Sequence, residues 1–100
     1  MEGMNSQARI LEEIKVLYEN HAAGLNNKEL AELVGTSAMN VCRDLAIIER
    51  YKWIARDGRG RWRLSAEFGG IAGQIMKSFK QARLELARDE ERYALSLIHI

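Results

Sequence analysis

The strongest constraint on this chain is a change of hydrophobic period near Tyr51. Up to Arg50, apolar residues recur every three or four positions, as on one face of a helix. From Trp53 to Leu64 they alternate around Asp57-Gly58-Arg59-Gly60, and from Phe68 the helical spacing returns. Asp-Gly between alternating runs is a strong hairpin signal. A lone two-stranded hairpin is marginal in water, so it must pack on neighbouring helices. With 100 residues, 47% of them apolar, there is material for one compact core and not for a two-domain enzyme.

The first helix is expected from about Ser6 to Ala23, with Ile10, Ile14, Leu17 and Tyr18 on its apolar face, Arg9, Glu12, Glu13 and Lys15 elsewhere, and Gly24 as C-cap. Asn26 has the chemistry of an N-cap and Glu29 that of a capping-box partner, which starts a second helix over Asn27 to Val34. Its apolar residues are Leu30, Ala31, Leu33 and Val34, and Gly35 can stop it in a left-handed conformation. Thr36 or Ser37 then caps a third helix running to Arg50, with Met39, Val41, Cys42, Leu45 and Ile48 as its expected buried stripe. Two helices joined by so short a turn form a helix-turn-helix pattern, and a hairpin directly after it is a wing. In the second strand Trp62 and Leu64 are expected to face the core, Arg61 and Arg63 to face out. A last helix from about Gly70 to Leu95 carries Ala72, Ile75, Phe79, Ala82, Leu86 and Tyr93 at alternating threes and fours. The expected fold is therefore mainly α with a small β-hairpin: a winged helix-turn-helix, made of a three-helix bundle and a two-stranded wing, over residues 1–68, and a long C-terminal helix over residues 69–100.

The formal net charge of +1 conceals local concentration. Arg50, Lys52, Arg56, Arg59, Arg61 and Arg63 face only one acid, Asp57, leaving residues 50–63 at +5. Such a cluster suits duplex phosphates or the minor groove, with affinity that falls as salt rises. The alternative is a solvated hairpin whose charges keep a sheet edge from aggregating. On the third helix, Ser37, Ala38, Asn40, Arg43 and Asp44 are not needed for the core and are expected on the exposed face. Asparagine can pair with adenine and arginine with guanine, Ala38 can lie against a thymine methyl, and Thr36 and Ser37 suit phosphate at a helix N-terminus. An ordinary polar face, with Arg43 paired to Asp44 or Glu32, is the competing account. Asp44 is expected to orient an arginine, and Lys28 is a phosphate candidate by position.

Other reactive residues have structural explanations. The single cysteine, Cys42, allows no intramolecular disulfide and is expected to be small and buried, which fits a reducing cytoplasm. His21 and His99 lack partners at metal-ligand spacing, so no metal or other cofactor is expected. Trp53 and Trp62 fit packing of the hairpin against the core better than stacking on single-stranded bases. Glu12 with Glu13, and Asp89 with Glu90 and Glu91, look like carboxylates on solvated helix faces, and no nucleophile with its base is apparent, so an enzyme is not expected. No apolar run is long enough to span a membrane, and the N-terminus lacks the pattern of a secretory signal.

Gly24 to Gly35, the Val41-x-Arg43-x-Leu45-x-x-Ile48 segment, and Trp53-Ile54-x-Arg56-Asp57-Gly58-x-Gly60-x-Trp62-Arg63-Leu64 resemble the N-terminal DNA-binding domain of IclR-type transcriptional regulators across residues 6–68. Val41-Cys42-Arg43-Asp44-Leu45 is also similar to the reading helix of DeoR-type repressors. Lys52 departs from both, standing where they place the glycine that ends the reading helix, which predicts a different approach to the first strand. The effector-binding domain of full-length members has no counterpart, so no small-molecule effector domain is expected. The resemblance implies sequence-specific binding of double-stranded DNA, as in a bacterial or phage regulator that represses transcription, and by position and chemistry the residues expected to carry it are Lys28, Thr36, Ser37, Ala38, Asn40, Arg43, Arg56, Arg59, Arg61 and Arg63. Ile75, Phe79, Ala82 and Leu86 are expected to pair two chains into a homodimer reading half-sites about one helical turn apart. The competing expectations are a winged-helix module that binds protein, and an accessory factor in replication, recombination or partition. No role follows for the apolar end, Leu97-Ile98-His99-Ile100.

Overall fold

A computed structural model describes residues 4–98. The elements are α1 (Ser6–Glu19), α2 (Asn27–Val34), α3 (Ala38–Arg50), β1 (Ile54–Arg56), β2 (Trp62–Leu64) and α4 (Ala66–Ile98). The protein is thus mainly helical, with one two-stranded antiparallel hairpin and a long C-terminal helix. It divides after Gly69 into two compact units, the first holding α1–α3 and the hairpin, the second the rest of α4. His99 and Ile100 lie outside the described residues.

The core of the first unit is built from Val16 and Leu17 of α1, Leu30, Ala31 and Val34 of α2, and Val41, Leu45 and Ile48 of α3, closed by Leu25, Ile54 and Trp62. Each fully buried aliphatic side chain contributes about 1.5–3 kcal/mol. The expected stripes are rotated in places. Tyr18, Leu33 and Met39 are more than half exposed and Cys42 is exposed, because α1 turns Glu13, Val16 and Leu17 inward and α3 turns Val41, Asp44, Leu45 and Ile48 inward. Helix α1 also ends at Glu19, well before Ala23: the Asn20 amide donates to the Val16 carbonyl at 2.8 Å and closes the last turn. The α2 capping box forms as the local sequence dictates, Asn26 Oδ1 accepting from the Glu29 amide at 2.8 Å and Glu29 Oε1 from the Asn26 amide at 3.0 Å. Gly35 is left-handed at φ 81°, and Ser37 caps α3.

The hairpin pairs Ile54 with Leu64, Ala55 with Arg63 and Arg56 with Trp62. Its turn closes on Asp57, whose carboxylate accepts from the amides of Arg59 at 2.8 Å and Arg61 at 3.1 Å. A third partner was not legible in the sequence. Leu25, between α1 and α2, exchanges backbone hydrogen bonds with Trp62 at 3.0 and 2.8 Å, so the hairpin gains a one-residue third strand. Gly24 makes this approach possible: it has φ +72°, and a Cβ there would meet Arg61 Cβ, Arg63 Cγ and the Trp62 carbonyl at 3.1 Å.

Helix α3 ends in a Schellman arrangement, with the Lys52 amide on the Glu49 carbonyl at 2.8 Å and the Trp53 amide on the Ile48 carbonyl at 3.3 Å. Lys52 itself takes φ 64°. The approach to β1 is therefore the glycine-type one after all, made by a lysine that bears the left-handed strain.

One polar cluster lies inside. Glu13 of α1 and Asp44 of α3 are both buried, and Arg9 grips Asp44 through Nε at 2.6 Å and a second nitrogen at 3.0 Å. Asp44 does orient an arginine, but from within, and neither it nor Glu13 lies on a solvated face. Among the described residues no donor reaches either Glu13 oxygen. Glu13 can therefore bond only by donating its own proton, and burial, the hydrogen bond to Asp44 and the Asp44 charge push it up to about 9. Burial works against the Asp44 charge, yet hydrogen bonds from Arg9 and Glu13 outweigh it and hold that carboxyl below its ordinary value.

Two outcomes follow. Lys52→Gly removes about 1–2 kcal/mol of left-handed strain against about 0.5–1 kcal/mol of added unfolded-state freedom. Its urea midpoint is expected to rise; a fall would show that Lys52 is unstrained. Glu13 stays neutral in the fold up to about 9 but ionises near 4.5 when unfolded, so its contribution is complete below pH 4.5 and is lost as pH rises toward 9. Asp44 acts oppositely: its contribution is full above its ordinary value of 3.8 and is lost as pH falls from there through its lowered one. Between pH 5 and 8 stability is expected to fall by up to about 1.4 kcal/mol per pH unit, and Glu13→Gln to flatten that slope in denaturant titrations.

Candidate nucleic-acid interface

With Asp44 turned inward, the exposed side of α3 from Ala38 to Ile48 carries no acid. Ala38 opens the helix in solvent, and Ser37 Oγ accepts from the Asn40 amide at 3.1 Å, which occupies the cap. Asn40 is half-buried, its amide group donating to Thr36 Oγ1 at 3.0 Å. That bond fixes the asparagine beside the N-terminus of α3 and occupies one of its amide hydrogens. Arg43 is exposed and pairs with neither Asp44 nor Glu32; its guanidinium lies 3.4 Å from Met39 Sδ, a weak contact. Lys28 is exposed in the first turn of α2. Thr36, Ser37, Ala38, Asn40 and Arg43 thus share the turn before α3 and its N-terminal half, as the spacing predicts.

The hairpin arginines are placed differently from an outward-facing fringe. Arg61 donates from Nε to the Ala23 carbonyl at 3.0 Å, and from a terminal nitrogen to the Gly24 carbonyl and to Glu29 Oε1, both at 2.8 Å. Arg63 Nε donates to the His21 carbonyl at 2.9 Å. Arg59 joins Ala23 O at 2.8 Å and Asp57 at 2.9 Å. These carbonyls lie beyond the early end of α1, so the arginines cap a segment that would otherwise leave them to water. Arg56 stacks over the Trp62 ring, 4.5 Å from its centroid. The Arg59 guanidinium, with the Arg61 and Arg59 amides, pulls the Asp57 carboxyl down to about 2. The Asn26 amide and Arg61 likewise lower Glu29.

Acids therefore balance Arg59 and Arg61, whereas Arg56 and Arg63 meet only a ring, a carbonyl and a histidine nitrogen. A carbonyl orients a guanidinium without cancelling its charge. The two remain net cations, as do exposed Arg50 and Lys52 at the end of α3. Between α2, α3 and the hairpin lies a shallow hollow of about 250 Å³ lined by Asn27, Cys42, Leu45, Ala46, Glu49, Arg56 and Trp62. The Cys42 sulfur there accepts from the Asn27 amide at 3.4 Å. Trp62 is buried and donates its indole N–H to Asn27 Oδ1 at 2.7 Å. Trp53 instead leans on Phe68, ring centroids 4.8 Å apart, and stays partly exposed.

In the second unit Ile75, Phe79, Ala82 and Leu86 are all exposed, and α4 has no buried residue. No helix among the described residues is long and apolar enough to cross a membrane. No group of three or more potential metal ligands occurs among them. Comparison with family models, curated proteins and solved structures finds no match to this chain.

Because Arg61 closes three contacts and is mostly covered, Arg61→Ala is expected to cost about 1–2 kcal/mol of stability, less than fully buried charged hydrogen bonds would. Arg59→Ala, at a site 62% exposed, is expected to change the urea midpoint little. An unchanged urea midpoint in Arg61→Ala would mean that the carbonyl contacts do not hold the α1–α2 segment.

Proposed function

We propose that this protein is a winged helix-turn-helix regulator that binds double-stranded DNA in a sequence-specific way. In this role α3 enters the major groove, the hairpin is the wing against the backbone or minor groove, and two chains pair through α4. Occupancy of a promoter by such a dimer represses transcription in a bacterial or phage setting, in the cytoplasm. The observation that carries the proposal is the inward turn of Asp44 onto Arg9. It removes the one acid from the first half of α3, where a carboxylate would repel phosphate, and leaves Arg43 and Asn40 beside Thr36 and Ser37. Arg56 and Arg63, held in place but not neutralised, supply a pre-oriented cationic edge on the hairpin, and Lys28 adds a cation on α2.

A second role, docking on protein, draws support from the exposed apolar side chains Leu33, Met39 and Ile47 on α2 and α3. Binding to duplexes separates the two. A random duplex pool is expected to yield an enriched site, with affinity falling steeply as salt rises. Arg43→Ala is expected to weaken that site about tenfold, from about 1–3 kcal/mol of base discrimination, without loss of fold. Absence of any retention at low salt would reject DNA binding in favour of the protein-docking role.

A further inference from the structure

The charges and side-chain sizes along α4 differ between its two halves. Lys77, Lys80 and Arg83 form a stretch with no acid, followed by Glu85, Asp89, Glu90 and Glu91 with Arg88 alone among them. The inward positions of a coiled-coil seam over this segment are Phe79, Ala82, Leu86, Asp89, Tyr93 and Ser96, alternately large and small or polar, all exposed. Arg83 and Glu90 flank the seam on one side, Glu85 and Arg92 on the other.

We infer that two copies of this chain pair through α4 as an antiparallel coiled coil centred between Ala87 and Arg88. This rests on the α4-mediated dimer proposed above and specifies its geometry. In the antiparallel register Phe79 meets Ser96 of the second copy, Tyr93 meets Ala82, and Leu86 meets Asp89, so large residues face small ones. The same register brings Arg83 beside Glu90 and Glu85 beside Arg92 on both flanks, four opposite-charge pairs. Asp89, ion-paired with Arg92 in its own helix, then never faces its equivalent. A parallel pair fails on each count. It stacks Phe79 on Phe79 and Ala82 on Ala82, sets Asp89 against Asp89 in the seam, and places Glu85 beside Glu90. The pairing separates the two Gly70 positions by about 52 Å, at 1.5 Å of rise per residue. The two α4 segments therefore start at opposite ends of the pair, a span above the one-turn spacing of about 34 Å that a compact two-fold dimer would match.

The test uses the full chain in a Cys42→Ser background, so that each engineered thiol is alone. Light scattering of the parent chain comes first: a dimer mass is expected, and a monomer would reject α4 pairing itself. Ala82→Cys and Tyr93→Cys chains are then mixed under a glutathione redox buffer. A covalent dimer between the two different chains, with none from Ala82→Cys alone, is expected, since the two Ala82 positions lie about 16 Å apart, beyond the about 7 Å limit for a disulfide. A disulfide from Ala82→Cys alone, or no mixed product from a dimeric parent, would overturn the antiparallel register while leaving dimerisation intact. Arg83→Glu, which sets a like charge beside Glu90 of the partner copy at two symmetric places in the dimer, is expected to weaken the dimer about tenfold. In a parallel pair Arg83 faces Ser78, so an unchanged dimer would also overturn the register.

Discussion

The first unit depends on the junction between Leu25 and Trp62. Two backbone hydrogen bonds there give the hairpin a third partner, and a two-stranded ribbon without one is marginal in water. The same tryptophan is buried, donates to Asn27 and carries Arg56 over its ring, so backbone, indole and charge meet on one residue. Around it the other arginines of β2 and its turn reach across to the carbonyls of residues 21–24. Gly24 is what lets the chain come close enough, and the early stop of α1 is what frees those carbonyls.

Features set by neighbours in the chain were legible in the sequence. The Asn26 and Glu29 box, the left-handed Gly35, the Ser37 cap and the Asp57-Gly58 turn each depend on residues a few positions apart. Contacts that close over long separations were not. Charge alone says that Arg61 and Arg63 are cations, but not that an α1 shortened by Asn20 leaves oxygens for them. Glu13 and Asp44 carried a usable signal, since each falls within an apolar stripe, at Ile10-Glu13-Leu17 and Val41-Asp44-Ile48. An acid at such a position is either exposed by rotation or buried with a partner, and only the position of Arg9 decides. For the candidate interface the residue types on α3 were readable, whereas the bond from Asn40 to Thr36 was not.

The inward acid and the outward cations belong to one arrangement. A carboxylate removed from water needs a charged partner, and the bidentate Arg9 supplies it to Asp44 while joining α1 to α3, with Glu13 buried close by and held neutral. The exposed side of α3 acquires its positive character as a by-product of how the core is satisfied. Lys52 shows the same economy at the other end of that helix: a cation occupies a left-handed position that a glycine would hold with less strain.

Both tryptophans lie on the hairpin's flanks, Trp62 enclosed beneath a guanidinium and Trp53 half open against Phe68. The intrinsic ultraviolet emission of this protein is therefore a local probe, weighted to the hairpin and dark to most of α4. Helical ellipticity is weighted the other way, toward a helix that runs from Ala66 to Ile98. Detachment of the hairpin and unwinding of α4 would thus appear as two distinct optical signals from the unlabelled chain.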